Sequence, residues 1–406
     1  MGVIESMIKF LKLSSFQKAL NFCDLFSPIE DCEELNVFEL NNRVSFEDVF
    51  SKFSLPLSNR SSVDGFAVFS EETFGASENT PVLLKLLGEQ RVNDSPIDIE
   101  KGGCVRVATG SSLPGNSDGV VMIEHAKVSG DFVEIYKPIS YFENVLKKGE
   151  DFMEGSVLIN KGKRINFRDS ALLAAAGFEK VKVYRKPRVA IISTGDEIIP
   201  YKEEISISKV YDANGPLIVN GIKNYAEALF FGIVKDSKKD LEEKFEYALE
   251  NCDCIFISGG SSVGERDYIE EVIKNFGEII HHGFLVKPGK PLLLGKKNNI
   301  PIIGFPGHPL PVMIHLNLVG ISVLKKLGGD KNCYPKSDKG ILGEPVFSVP
   351  GRVDLVMGYR KNNFIIPLLS KSDYISLATK SEFIIKIPED REIILEGEEV
   401  EIYLWD

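Results

Sequence analysis

Histidine is scarce, with five in 406 residues, and none combines with cysteine at zinc-binding spacing. The six cysteines (Cys23, Cys32, Cys104, Cys252, Cys254 and Cys333) are scattered and form no C-x-x-C pair. Only Cys252 and Cys254 are close, and a C-x-C entering a buried strand packs one face more readily than it binds metal. No Ser/His/Asp order or Cys/His pairing suggests a nucleophilic triad. No apolar run reaches about 18 residues and no charged-then-apolar N-terminal signal is present, so a cytosolic, reduced protein without a membrane span is expected. Positive charge is also in deficit, at 48 Lys and Arg against 59 Asp and Glu for a net charge of -11. That argues against a nucleic-acid or anionic-membrane partner, either of which needs a basic face. The chain has neither an internal repeat nor a low-complexity segment.

At this length one core does not suffice, and roughly two to four domains are expected. The stretch Cys254 to Tyr268 carries the strongest local pattern, a short apolar run followed by Ser258, Gly259, Gly260, Ser261 and Ser262. Helical spacing then runs from Val263 to Asn275. Strand, small-residue loop and helix can aim backbone N–H groups at an anion, although an ordinary tight turn has the same composition. The pattern recurs at Arg188 to Ile192, which leads into Ser193-Thr194-Gly195-Asp196-Glu197, and at Pro301 to Gly304, which leads into Phe305-Pro306-Gly307-His308-Pro309. Three such strands within about 120 residues predict a parallel α/β sheet with its ligand crevice at the strand C-terminal ends. Asp196, Glu197, Asp267 and Lys287 fall near that rim. Val286-Lys287-Pro288-Gly289-Lys290-Pro291 places two lysines on a proline-stiffened loop suited to a phosphate or oxyanion.

Elsewhere, helical spacing covers residues 1–23, 215–231, 240–249 and 313–327, the last ending at Gly328-Gly329. A helix from Asp169 to Ala176 is expected to start at an acidic N-cap and stop at Gly177. Short strands alternating with turns over 66–143 predict a small β-rich domain, and Arg185-Lys186-Pro187 reads as a linker. From Gly340 to the end the pattern is β again. Asp64, on the polar loop Pro56 to Ala67, either presents a carboxylate to a metal or water or closes an Asx-turn before Gly65. The loop after Arg106-Val107-Ala108-Thr109-Gly110 offers donors to a ligand or is only a hairpin. His281 and His282 point apart if extended, His315 reads as packing, and His308 alone falls near the expected ligand.

Eight segments occur in order: Asp64 to Ala67, Ala108 to Gly110, Gly149 to Asp151, Ser193 to Glu197, Tyr211 to Asn214, Ser258 to Tyr268, Lys287 to Pro291 and Phe305 to Pro309. Together they resemble the molybdopterin molybdenumtransferase family, which includes the gephyrin E domain, over nearly the whole chain. The resemblance implies insertion of molybdate into adenylylated molybdopterin with Mg²⁺, releasing AMP and molybdenum cofactor. It implies a multidomain α/β plus β fold: an elongated split first domain (1–55 and 144–186), an inserted β-rich domain (56–143), an α/β molybdopterin-binding domain with a largely parallel sheet (187–330) and a C-terminal β domain (331–406). It also implies a homodimer with its cleft shared between subunits, and transient contact with the molybdopterin adenylyltransferase.

Carried over by motif, Asp64, Glu197, Asp267 and Lys287 are the catalytic candidates, and Asp64, Glu197 and Asp267 the metal ligands. Thr109, Thr194, Gly195, Asp236, Lys290, Pro306, Gly307 and Pro309 are expected to contact substrate, as are Ser258, Gly259, Gly260, Ser261, Ser262 and Gly264 of the anion loop. Asp151 matches a further family motif. Three departures stand out. His308 replaces the family's asparagine, Ser62-Val63-Asp64-Gly65-Phe66 replaces a methionine-aspartate-glycine-tyrosine pattern, and the C-terminal loop before Ile375-Ser376-Leu377-Ala378 lacks the usual glycine-rich run. Alternatives are tungstate insertion, a non-catalytic pterin-binding or scaffold protein, and a sister enzyme of the same α/β fold that adenylylates the pterin.

Overall fold

Ile255, Phe256 and Ile257 are fully buried in the strand Cys254–Ser258, which lies inside a six-stranded sheet. A continuous apolar run is what a strand covered on both faces requires, and each such side chain contributes about 1.5–3 kcal/mol by burial. In this computed structural model, residues 13–235, 237–259, 265–368 and 375–406 are described, and of these the side chains of 265–267 are left aside.

The sheet runs in the order Glu227–Val234, Arg188–Thr194, Cys254–Ser258, Ile300–Phe305, Leu293–Lys297, Glu278–His282. The first four strands are mutually parallel, and the last two join antiparallel. The expected parallel sheet is therefore present, extended by an antiparallel edge. Helices Lys238–Asn251 and Glu265–Phe276 lie against one face, burying Leu241, Phe245, Val272 and Ile273 beside Ile255 and Ile257. The opposite face packs Val189, Ile191, Phe256 and Phe305 against Ile218, Ile314 and Leu318.

One expectation fails here. The helix read over 215–231 stops early: Asn214–Gly221 is helical, but Glu227–Val234 is a strand paired in parallel with Arg188–Thr194. Its apolar residues satisfy either spacing locally, and pairing along an open sheet edge decides for the strand. The segment Pro309–Leu327 is long and apolar enough to cross a membrane by length and composition, which a plain count of apolar runs misses. Yet 89% of that window is buried, as in a core helix. Within it, Leu316–Gly320 widens into a π-helical turn.

By its internal contacts the chain divides into two units. The first runs to Glu47, takes in Lys161–Asn166 and resumes with Val181–Asp406; the second comprises Asp48–Asn160 and Phe167–Lys180. In the first unit, past the α/β sheet, strands Ser337–Leu342, Val353–Lys361, Phe364–Pro367, Phe383–Ile387 and Glu399–Leu404 pair in a closed ring around Leu342, Ile365, Ile385 and Ile402. Val286–Lys287 adds to this ring beside Val353.

The second unit holds its own six-stranded sheet, Gly119–Met122, Gly65–Val68, Gly103–Val107, Val82–Gln90, Phe132–Ile135 and Ala126–Ser129 in spatial order. Phe66, Val68, Leu84, Cys104 and Val121 form its core. Gly65 sits where a Cβ would come within 2.0 Å of the Val121 carbonyl oxygen, so the chain can cross there only without a side chain. The helix in this unit spans Phe167–Ala175, which puts Asp169 in its first turn rather than at its N-cap. There a carboxylate still faces the positive helix end.

Candidate functional site

The C-terminal ends of the parallel strands build a rim in the first unit. Thr194 and Ser258 end adjacent strands, and the Thr194 hydroxyl donates to the Ser258 carbonyl at 3.4 Å. Gly259 follows at φ +141°, so close to its neighbour that a Cβ would stand 2.1 Å from Thr194 Oγ1 and 2.3 Å from its carbonyl oxygen. Only glycine permits this turn. Gly195 repeats the geometry at φ +141°, with both Glu197 carboxylate oxygens 2.9 Å from where its Cβ would be. The Glu197 carboxylate therefore lies against Gly195 just past the end of the strand, half-buried.

Gly259 and Pro306 share a small depression with Pro291 and Leu293, which brings the ends of two strands beside the lysine loop. Gly307 is fastened from outside: its carbonyl accepts from Asn214 Nδ2 at 2.7 Å. The start of that helix is fixed in turn, because Asp212 accepts from Ser193 Oγ at 2.8 Å and from the Gly215 N–H at 2.9 Å. Asp212 and Asn214 were visible in the sequence as part of a matching segment, but their fastening role needed the contacts. Pro309 opens the following helix, with exposed His308 at its N-cap position.

Lys287 and Lys290, both exposed, line a cavity of about 330 Å³ together with Leu285, Pro350, Gly351 and Arg352. Arg352 is a third cation that the sequence reading overlooked. Its only local signal is the Val349-Pro350-Gly351-Arg352 turn, and what brings it here is the pairing of Val286–Lys287 with Val353–Asp354. Asp354 Oδ1 accepts from Arg352 Nε at 2.8 Å, which orients the guanidinium. Three cations thus line one cavity in a chain of net charge -11, one of them paired with Asp354.

The second unit brings Asp64 and Thr109 together. Asp64 Oδ1 accepts from the Thr109 N–H at 2.8 Å and from its hydroxyl at 3.2 Å. The two loops are stitched by backbone bonds from Gly110 to Ser61 at 2.8 Å and from Ser61 to Ser111 at 3.0 Å. Asp64 is exposed despite this, so its second oxygen can take a ligand. Asp151, also in this unit, is exposed, and its N–H donates to the Leu55 carbonyl at 3.1 Å.

Asp236, Gly260, Ser261, Ser262 and Gly264 lie outside the described residues, and so does the Asp267 side chain, although its backbone is in the helix Glu265–Phe276. Among the described residues no group of three His, Cys, Asp or Glu could hold a metal ion.

Two family models match the chain, one after the other. Residues 14–177 match the family model described as MoeA N-terminal region (domain I and II). Residues 190–326 match the one described as "Probable molybdopterin binding domain". A Methanocaldococcus jannaschii chain named for molybdopterin biosynthesis is 35% identical over 401 residues, covering 96% of this chain and 95% of that one. The molybdopterin molybdenumtransferase of Staphylococcus epidermidis is 32% identical, over 76% of this chain and 75% of its own. The crystal structure of the molybdopterin biosynthesis moeA protein from Pyrococcus horikoshii superposes with a TM-score of 0.85 at 30% identity, covering 97% of this chain and all of that one.

Proposed function

The chain belongs to the molybdopterin molybdenumtransferase family, and on that footing we propose that it inserts molybdate into adenylylated molybdopterin with Mg²⁺, releasing AMP and molybdenum cofactor. As an enzyme of molybdenum cofactor biosynthesis it needs places for a pterin phosphate, a phosphoanhydride and an oxyanion. The observation that carries the reading is the cavity shared by Lys287, Lys290 and Arg352. Its charge suits a tetrahedral dianion and offsets the charge that gathers on the departing adenylate.

In this reading the backbone from Gly259 onward takes phosphate on its N–H groups, aided by Ser258 and the serines that follow. Lys287 and Lys290 offset the oxyanion charge, while Pro306, Gly307 and Pro309 shape the wall beside them. Thr194, Gly195 and Asp236 line the pterin side. Mg²⁺ would be held by the hard oxygen donors of Glu197 and Asp267, and supplies neutralisation of the phosphoanhydride when bound. Asp64, oriented by Thr109, places the oxyanion for transfer to the dithiolene sulfurs, which are the substrate's own.

A single-turnover assay with adenylylated molybdopterin, Mg²⁺ and either molybdate or tungstate tests this. AMP release that depends on the oxyanion is expected, and the faster oxyanion identifies the metal used. Tight pterin binding without AMP release would instead favour a non-catalytic pterin-binding paralogue. We also propose a cytoplasmic homodimer with a shared cleft that receives its substrate from a molybdopterin adenylyltransferase. Sedimentation at micromolar concentration should give the dimer mass, and a further gain when that enzyme is added; a monomer would count against the shared cleft.

A further inference from the structure

His315 sits at the C-terminal end of the helix Pro309–His315, fully buried, and the polar groups that interact with its ring are the backbone of Pro288 and Gly289. A buried imidazole facing a single loop calls for a physical account. Phe16 packs beside it at 6.0 Å between ring centroids, and the backbone of Pro288 and Gly289 lies across it. The approach is tight. A Cβ on Gly289 would stand 2.0 Å from His315 Nε2 and 2.5 Å from Cδ2, and Gly289 has φ +92°. The ring therefore fills the space directly beneath the one residue that separates Pro288 from Lys290.

The loop above the ring is tied at its base, where the Phe284 N–H donates to the Lys290 carbonyl at 2.8 Å and the Leu292 N–H to the Gly289 carbonyl at 3.2 Å. Those bonds hold the returning side of the loop, and the pairing of Val286–Lys287 with Val353–Asp354 holds the leaving side; between them the loop rests at Gly289 on the ring. Burial pushes the His315 pKa down to about 4, and the Pro288 and Gly289 backbone offsets this only in part. At neutral pH the ring is uncharged and adds no repulsion beneath Lys287 and Lys290.

We propose that His315 is a positioning residue: its imidazole props Gly289, so that Lys287 and Lys290 meet Arg352 around one oxyanion. The inference rests on the oxyanion reading of the 330 Å³ cavity and goes beyond it by naming the buried group that shapes that cavity. The nearby Ser14–His281 contact at 3.0 Å sits beside the loop's base and not under its crest, so it does not substitute for His315.

Equilibrium dialysis of the full-length protein against molybdate, combined with the single-turnover assay, separates the alternatives. His315→Ala is expected to weaken molybdate binding about tenfold or more, as ångström-scale misplacement of binding groups does. Its apparent KM for molybdate should rise while the rate at saturating molybdate and the affinity for pterin stay near wild type. His315→Gln, uncharged and of similar reach, should recover most of the loss. Gly289→Ala should be damaging alone, and adding His315→Ala to it should cost little more, because removing the ring makes room for the new Cβ. His315→Ala binding molybdate as tightly as wild type would overturn the proposal alone. So would equal losses of pterin and molybdate affinity that His315→Gln leaves uncorrected, since those report a general structural role. Wild-type protein that binds no molybdate, or binding insensitive to Lys287→Ala, would overturn the cavity reading and this proposal with it.

Discussion

Gly259→Ala is expected to lower the stability of the first unit by about 3 kcal/mol or more and to abolish pterin binding. The new Cβ would lie 2.1 Å from Thr194 Oγ1 and 2.3 Å from the Thr194 carbonyl oxygen. A hydroxyl can rotate away, but the carbonyl of Thr194, which ends its strand paired with Val234, can move only by disturbing that pairing. The backbone at φ +141° is also closed to L side chains, so strain adds to overlap. The backbone at Gly259 must therefore leave its present path. Gly397→Ala, in the same unit, is the control. Its φ is +86° and a Cβ there would meet nothing within 4 Å, so it should cost about 1 kcal/mol and leave binding intact. Urea titration monitored by a probe in the α/β domain measures both, and equal midpoints for the two variants would refute the role assigned to the Gly259 turn. Gly195→Ala should fall between, because there the obstacle is the movable Glu197 carboxylate.

These strand ends were legible because their chemistry is local. Apolar runs that stop at Ser-Thr-Gly, Ser-Gly-Gly and Phe-Pro-Gly announce both a buried strand and a tight exit, and the structure places Thr194, Ser258 and Phe305 at those exits. Asp64 and Thr109 were separately visible as loop residues, and their hydrogen bonds join them as a pair. Legibility failed wherever the deciding contact is distant in sequence. Arg352 carries no local mark of function; it reaches the lysines through strand pairing between Val286–Lys287 and Val353–Asp354. His315 was readable as packing, but the residue packed on it, Gly289, is not its neighbour in the chain. The strand Glu227–Val234 has the apolar spacing of a helix as well, and only the open edge beside Arg188–Thr194 distinguishes the two. The anion loop from Gly260 to Gly264 and the Asp267 carboxylate lie outside the described residues, so their assignment rests on the motif and on the turn at Gly259 that launches the loop.

Asp64→Asn is expected to reduce oxyanion-dependent AMP release by about 100-fold or more while changing pterin affinity by less than about twofold, a loss of the size seen when one preorganised electrostatic group is removed. The substitution isolates charge from shape. An asparagine carbonyl can still accept from the Thr109 N–H and hydroxyl, which now meet Asp64 Oδ1 at 2.8 and 3.2 Å, so the paired loops have no reason to separate. Because Asp64 is exposed and not part of the second unit's core, the variant should unfold at the wild-type denaturant concentration. Thr109→Val supplies the complementary loss. It keeps the backbone N–H and the carboxylate, removes only the long 3.2 Å hydroxyl contact to an exposed carboxylate, and should cost no more than about tenfold. The pattern to look for is a large fall for Asp64→Asn and a small one for Thr109→Val, each in turnover and neither in pterin binding. Full turnover by Asp64→Asn would remove this carboxylate from the chemistry and leave the Asp64–Thr109 pair as a loop fastening. A parallel loss of pterin affinity would instead move Asp64 from the transfer step to substrate binding.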